Sequence, residues 1–299
     1  MRVDPTYISS LVSALDNAIG REQQLSNQLA SGLRINALSD DPVSAGRNVL
    51  LLNQIQRDDA FTQTSSLVTG QLQVADSALG GVVEQLNRAI ALATSANNGT
   101  NNSSDLKAIA NQLSGILREV ESLANSNYQG QYIFAGGRTS TQPFSTSTAS
   151  LPGETSYVGD ANVNYLDTPN GQKIQLNVPG DQIFLGANSV FGVLNSLIAD
   201  FATGIGNSPQ AEQDAKALTA ALNYVSQQRV LIDNSITQLS AASDAVTNEK
   251  TQLSAAQTDL MQADLPTLAT QLSLTKTQQT ALESVIVQLG SGSLFDKLQ

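Results

Sequence analysis

The sequence contains no cysteine, histidine or tryptophan among its 299 residues. Without cysteine the chain forms no disulfide and no thiolate metal site. Without histidine it lacks the commonest general base and the commonest metal ligand in proteins. These absences exclude the usual cysteine- and histidine-based catalytic pairs and metal centres.

Charged residues are also scarce, at 14% of the chain, and the net charge is −11. A protein that binds nucleic acid needs a basic surface to neutralise phosphates, and this composition offers none. The same acidity disfavours adhesion to anionic membranes, and no run of about 18 apolar residues could span a bilayer. We therefore expect no nucleic-acid partner and no membrane insertion.

The sequence also shows no enzyme motif and no signal-peptide pattern. Met1 to Ser10 do not form a basic and then apolar signal peptide, so we expect a cytosolic protein or one exported without a cleaved signal. The sequence has no phosphate-binding loop, dinucleotide-binding glycine pattern, zinc-protease motif or calcium loop. A serine nucleophile would need a lysine base, and lysines are few. We therefore expect no catalytic residue, no cofactor, no metal and no enzymatic activity.

An apolar stripe with helical spacing lies near the C-terminal end. At alternating steps of three and four residues it contains Leu265, Leu268, Leu272, Thr275, Gln279, Leu282, Ile286 and Leu289. Six of these eight positions are aliphatic, which is typical of an amphipathic helix. From Leu265 to Gly290 the only charges are Lys276 and Glu283, whereas a solvent-facing helix usually has a charged outer face. The stripe favours a helix surrounded by protein, although a helix packed on its own domain fits the spacing equally well.

A second stripe with the same spacing lies near the N-terminal end, after Asp4-Pro5, a pair typical of a helix start. It is weaker, because Ala18 and Glu22 interrupt the leucines. We predict that the two terminal helices, residues 1–32 and 265–299, pair as an inner assembly domain. The predicted interface consists of Ile8, Leu11, Leu15, Leu25, Leu29, Leu265, Leu268, Leu272, Leu282, Ile286 and Leu289.

Residues 33–41 and 258–264 are predicted linkers. Asp41 precedes Pro42, and this pair predicts a helix start in which the Asp41 carboxylate accepts free backbone amides. A metal or acid–base role for Asp40 and Asp41 is the alternative interpretation. A helical tract follows to about residue 96, and Ser103 or Ser104 is expected to cap the next helix. Residues 42–127 and 197–257 are predicted to form a helical bundle domain.

The composition changes near Tyr128. Residues 128–196 contain eight of the thirteen aromatic residues, nine glycines and four of the eight prolines, which is typical of strands and turns. Residues 131–134 and a hairpin around Pro169-Asn170-Gly171 are candidate strands, with Val163 and Tyr165 expected to face inward. The predicted fold class is mainly α, with long heptad-patterned helices from both termini in a coiled-coil-like bundle and a small inserted β domain at 128–196.

Three segments resemble the flagellin-like axial proteins of the bacterial flagellum. The first, LASGLRINALSDDPVSAGR at residues 29–47, contains Ser31, Gly32, Arg34, Ile35, Asn36, Asp40, Asp41 and Pro42. The second, QYIFAGGRTSTQPF at 131–144, contains Tyr132, Ile133, Phe134, Ala135, Gly136, Pro143 and Phe144. The third, SGSLFDKL at 291–298, contains Ser293, Leu294 and Phe295. Within that family, the resemblance is to the hook–filament junction branch. It rests on the proline after the two aspartates, the YIFAG segment and the SLF ending.

This resemblance implies a structural protein exported unfolded through the flagellar type III apparatus with help from an export chaperone. It also implies that terminal helices pack around a central channel in a ring of copies. Members of the junction branch meet hook-associated protein 1 on one side and flagellin on the other. A flagellin variant that forms the filament itself is the nearest alternative, and a secreted binding protein such as an adhesin is a second.

Overall fold

The computed structural model describes residues 5–97, 101–146, 155–186, 189–206 and 208–295. In this part of the chain the helices are α1 (Pro5–Ser31), α2 (Pro42–Ala96), α3 (Ser103–Ala124), α4 (Gly180–Phe184), α5 (Val190–Ala202), α6 (Pro209–Met261) and α7 (Leu265–Phe295). The strands are β1 (Asn127–Tyr128), β2 (Gln131–Tyr132), β3 (Phe144–Thr146), β4 (Thr155–Tyr157), β5 (Tyr165–Asp167) and β6 (Lys173–Gln175). They pair as three antiparallel two-stranded ladders, β1–β2, β3–β4 and β5–β6. The predicted fold class, mainly α with a small β region, is confirmed.

The chain divides into two compact units. The terminal unit consists of Met1–Asp58 and Asn248–Gln299, and the central unit is Asp59–Thr247. Both divisions fall inside the long helices α2 and α6, whereas the sequence places domain boundaries at the linkers. Residues 258–261 belong to α6, so the second connector is limited to residues 262–264.

The central unit is built on a continuous hydrophobic core. Side chains from α2, α3, α5 and α6 form it together with residues of the β region. Leu79, Leu86 and Leu113 are fully buried there, as the heptad spacing of α2 and α3 predicts. At the edge of this core the Arg229 guanidinium donates two hydrogen bonds to the Asp76 carboxylate, 2.7 and 3.0 Å long. Arg229 therefore joins α6 to α2.

Helix α3 begins with a capping box. The Asn102 side-chain oxygen accepts the amides of Ser104 (2.8 Å) and Asp105 (3.0 Å), and Asp105 Oδ2 accepts the amide of Asn102 (3.1 Å). The prediction that Ser103 or Ser104 caps this helix is wrong. Asn102 takes that place because the carboxylate three residues later can complete the reciprocal pair.

The β region of the central unit is partly helical. Residues 180–184 and 190–202 form α4 and α5, so strands account for less of residues 128–196 than composition indicates. The predicted hairpin is present as β5–β6, with Leu166 opposite Ile174 and Gly171 at φ +80° in the turn. The predicted inward face is wrong at Tyr165, which is 56% exposed. Leu166 packs on the core instead, since Ile174 opposite it is buried.

Candidate assembly site

Helices α1 and α7 pack against each other in the terminal unit. Next to the connectors, Leu25, Ala263 and Leu268 form a small buried cluster against which Leu272 packs. Farther along α7, Leu282, Ile286 and Leu289 are half-buried, as are Leu11 and Leu15 on α1. The pairing thus brings most of the predicted stripe together.

Three predicted interface residues lie off this contact. Leu265 is 45% exposed, and Ile8 and Leu29 are each 37% exposed. Gln28 is less exposed than Leu29. Its Nε2 donates to the Arg34 carbonyl at 2.6 Å, which holds the end of α1 to the connector. At the end of α1 the less exposed position is therefore Gln28 and not the predicted Leu29.

Beyond the buried cluster, the facing sides of α1 and α7 leave an open groove of about 610 Å³. The groove has a mixed lining of small, apolar, polar and charged residues, namely Ala14, Asn17, Ala18, Arg21, Thr275, Gln278, Ala281, Leu282 and Val285. Other apolar side chains of the same two helices point away from this contact. Tyr7, Val12, Leu274 and Val287 are between 43% and 69% exposed. A single chain therefore leaves much of the apolar surface of this helix pair uncovered.

The first connector is an ordered structure, and residues of the first resemblance motif form it. Gly32 has φ +69°, a conformation that favours glycine, and its carbonyl accepts the Ala263 amide at 3.0 Å. The Arg34 amide donates to the Met261 carbonyl at 2.7 Å. Ile35 is 4% exposed. The two connectors are thus hydrogen-bonded to each other within the terminal unit.

Arg34 links two helix ends through its side chain. Its Nη2 donates to the Leu260 carbonyl at 3.1 Å, in the last turn of α6. Its Nη1 lies 3.4 Å from Asp41 Oδ2 at the start of α2. A cation is favourable at a helix C-terminus and a carboxylate at an N-terminus, so the guanidinium suits the end of α6 and the Asp41 carboxylate that it contacts suits the start of α2.

Both aspartates of the first motif hold backbone amides. Asp41 Oδ1 accepts the Ser44 amide at 3.0 Å, which is the predicted cap. Hydrogen bonds from the Ser44 side chain and amide keep the pKa of Asp41 below its ordinary value. Asp40 Oδ2 accepts the amides of Asn36 and Ala37, each at 3.0 Å. The cap interpretation is confirmed, since both carboxylates are engaged by the backbone.

The second motif forms a turn in the central unit. Gly136 has φ +66°, and a Cβ there would lie 2.1 Å from the Asp160 carbonyl oxygen. Asp160 Oδ1 accepts the amides of Gly137 (2.6 Å) and Asn162 (3.1 Å). The single proton of the Tyr157 hydroxyl is shared between the carbonyls of Phe134 (3.0 Å) and Asp160 (2.9 Å). Burial raises the pKa of that hydroxyl to about 12. Sequence reasoning missed Asp160, which lies outside the motif it holds.

Aromatic residues pack behind this turn. The Phe144 ring lies 5.3 Å from the rings of both Phe184 and Phe191, and Phe134 meets Phe184 edge to face at 5.6 Å. The side chain of Asn125 exchanges two 2.9 Å hydrogen bonds with the backbone of Phe144. Of the other motif residues, Ile133, Ala135 and Pro143 are buried and Tyr132 is half-buried. The motif is therefore a structural one that anchors the β region.

The third motif lies at the end of α7. Ser293, Leu294 and Phe295 belong to the helix, and residues 296–299 lie outside the described residues. In the described ranges no helix is long and apolar enough to cross a bilayer. The same ranges hold no group of three or more acidic residues arranged to bind a metal ion.

Comparisons with known proteins agree with these features. The sequence profile of the bacterial flagellin N-terminal helical region matches residues 8–139. Flagellar hook-associated protein 3 of Salmonella typhimurium is 27% identical over 270 residues, covering 81% of this chain and 83% of that protein. Flagellin of Listeria monocytogenes is 24% identical over 245 residues, covering 81% of this chain and 79% of that protein.

A solved structure shares the fold. The crystal structure of flagellar hook-associated protein 3 from Legionella pneumophila superposes with a TM-score of 0.64 at 14% identity. It covers 71% of this chain and 98% of that one. All three comparisons indicate similarity to flagellar axial proteins: the profile match, the similarity along most of both chains and the common fold. This chain is therefore similar to the flagellin-like axial proteins of the bacterial flagellum, and among them to flagellar hook-associated protein 3.

Proposed function

We propose that this protein is the structural junction between the hook and the flagellin filament of the bacterial flagellum. The observation that carries the proposal is the α1–α7 pair. It buries only a small cluster within one chain and exposes Tyr7, Val12, Leu274 and Val287. Exposed apolar surface on a helix pair with few charges suits a helix surrounded by copies of itself.

In this proposal the terminal units of several copies form a ring. Each α1–α7 pair packs beside its neighbours around a channel through which other subunits travel unfolded. Contacts between copies would involve Ile8, Leu11, Leu15, Leu25, Leu29, Leu265, Leu268, Leu272, Leu282, Ile286 and Leu289, or the apolar residues beside them. Sparse charge on α7 would limit electrostatic retention of passing chains.

The partners follow from the position. Hook-associated protein 1 would lie on the hook side and flagellin on the filament side, and the protein would reach this extracellular place through the flagellar export apparatus after release from an export chaperone. The ordered connector supports this arrangement. Arg34 and the Gly32–Ala263 hydrogen bond join the two chain segments that leave the α1–α7 pair.

A deletion strain tests the proposal. Loss of a junction protein should release unpolymerised flagellin into the medium while the hook remains, and the intact gene in trans should restore filaments. Antibody labelling of wild-type flagella should mark one short zone above the hook. Label along the whole filament, or long filaments grown from the purified protein alone, would instead support a flagellin variant.

A further inference from the structure

A polar layer interrupts the apolar stripe of the α1–α7 pair. Lys276 Nζ lies 3.7 Å from Glu22 Oε1, and the Glu22 side chain is only 26% exposed. Beside it, Thr275 is 4% exposed and donates its hydroxyl to the Gln271 carbonyl of its own helix. Glu22, which weakens the stripe in the sequence, thus makes a cross-helix ion pair.

Apolar packing specifies the register of these helices only in part. Aliphatic residues recur every seven positions on α7, as in Leu265 and Leu272 or Leu282 and Leu289. Sliding α7 by seven residues, about 10.5 Å, replaces one aliphatic residue by another at these positions, but it puts Thr275 and Gln279 in the places of Leu268 and Leu272. A polar or charged position within such a stripe is the usual means of fixing a register.

The charges of α7 discriminate between registers. Glu283 lies seven residues after Lys276, and between Leu265 and Gly290 these are the only charged residues. Sliding α7 by seven residues in one direction would place Glu283 opposite Glu22, where two carboxylates repel each other. Sliding it in the other direction would place Ala269 there, and the ion pair would be lost.

We propose that Glu22 is a specificity-determining residue that fixes the register between α1 and α7, with Lys276 favouring the observed pairing and Glu283 opposing the one displaced by seven residues. This inference rests on the proposed function. Within one chain the connectors already hold α1 near α7. The discrimination acts during assembly, when the α7 of one copy meets the α1 of a second copy at another height.

The lack of native cysteine allows a direct measurement of register. Ala18 and Ala281 line the same groove, so Ala18→Cys with Ala281→Cys reports the observed register. Ala18→Cys with Gln288→Cys reports the register displaced by seven residues. Flagella isolated from a strain complemented with each double-cysteine protein are oxidised and run on a non-reducing gel. Cross-links within one chain keep the monomer mass, and those between copies give a dimer.

The ratio of observed to displaced cross-link is measured for four charge variants, each made in both double-cysteine proteins. Glu22→Lys makes the observed register repulsive and the displaced register attractive, so the ratio of observed to displaced cross-link should fall at least about five-fold. Glu22→Gln should lower the ratio less, and Glu283→Gln should raise only the displaced cross-link. Glu22→Lys combined with Lys276→Glu and Glu283→Lys reverses every sign and should restore the wild-type ratio.

An unchanged ratio in the Glu22→Lys protein, or no recovery in the triple variant, would overturn the proposal. If Glu22→Lys blocks export, the isosteric Glu22→Gln and Glu283→Gln proteins decide the question by the same ratio. The proposed function is judged separately. It fails if the double-cysteine protein without charge changes is missing from flagella of a motile strain, whereas the register proposal fails only if that protein is present and its ratio does not respond.

Discussion

The terminal and central units divide one chain into parts with very different interiors. In the described part of the chain the terminal unit buries four hydrophobic side chains, Leu25, Ile35, Ala263 and Leu268, whereas the central unit buries forty. The large fully buried side chains, among them Phe134, Phe144 and Leu113, all belong to the central unit. Both units use helices with the same three-four spacing, so helix pattern does not distinguish them.

The two units therefore obtain their stability from different sources. A fully buried leucine contributes about 1.5–3 kcal/mol relative to an exposed one, so the central unit has ample apolar burial of its own. The terminal unit has little, and isolated helices gain most of their stability from tertiary packing. We infer that the central unit folds in the monomer and that α1 and α7 depend on neighbouring copies.

The largest expected effect comes from a charge in the terminal stripe. Leu282 lines the groove between α1 and α7, and Leu282→Asp should block assembly because burying an unpaired carboxylate against neighbours costs several kcal/mol. Ile286→Asp should act in the same way. Swimming on soft agar and flagellin in the medium measure the loss.

The matched control uses the other side of the same helix. Ser284 is an exposed polar residue of α7, so Ser284→Asp should be tolerated better than Leu282→Asp if the groove side is the one that packs. Thermal unfolding of the purified Leu282→Asp protein should match wild type. Normal swimming of the Leu282→Asp strain would show that this stripe is not a packed interface.

A core truncation in each unit compares the two interiors directly. Leu113 is fully buried in the central unit, so Leu113→Ala should lower the free energy of unfolding by about 2–5 kcal/mol. Leu268→Ala removes the same atoms from the small terminal cluster and should leave the main unfolding transition of the isolated protein nearly unchanged. Chemical denaturation followed by circular dichroism measures both. An equal loss in the two variants would mean that the terminal unit folds cooperatively with the central one.

Much of this fold follows from patterns that depend on neighbours in the sequence. The start of α2 at Pro42 follows from the Asp41-Pro42 pair, and its end at Ala96 from the loss of heptad spacing. The burial of Leu268 and Leu272 follows from the same spacing. Such features are predictable because a helix places residues three and four apart on one face.

Features that depend on distant partners were not predictable. Asp160 holds the Gly136 turn from 24 residues away, and Arg34 reaches the carbonyl of Leu260 across the fold. No local pattern marks these contacts. In the candidate site the ion pair of Glu22 was equally unpredictable, because its partner Lys276 lies on another helix. The predicted assembly residues rest on spacing alone, and their division into packed and exposed members within one chain needed the structure.

Removing the Arg34 side chain should have a moderate and local effect. Arg34→Ala loses the hydrogen bond to Leu260 and the contact with Asp41, so the connector should open more often, by about 1 kcal/mol. Amide hydrogen exchange at Arg34 and Ala263 should then accelerate about five-fold. Arg47→Ala, an exposed arginine on α2, is the control and should leave both amides unchanged. Equal exchange in the Arg34→Ala protein would show that the backbone hydrogen bonds hold the connector alone.

The smallest expected effect on stability comes from Asp200, a carboxylate that is unfavourably placed in the central unit. Asp200 lies in the last turn of α5, where the helix dipole disfavours a negative charge, and its Oδ2 is buried without a hydrogen-bond partner. Burial and the neighbouring Asp214 raise the pKa of Asp200 above its ordinary 3.8. Asp214 is 7% exposed, and one of its oxygens accepts a hydrogen bond from Gln210 at 3.0 Å.

The sign of the pH dependence follows from that pKa. The folded state binds the Asp200 proton more tightly than the unfolded state, so stability falls as pH rises from about 3.8 through the raised folded pKa. Asp200→Asn removes this loss, and the variant should melt above wild type at neutral pH by a small margin that vanishes below about pH 4. Asp244→Asn, an exposed position on α6, provides the control for the lost charge. Melting curves at pH 3.5, 5 and 7 measure the difference, and a variant less stable than wild type at pH 7 would mean that the Asp200 carboxylate supports the fold there.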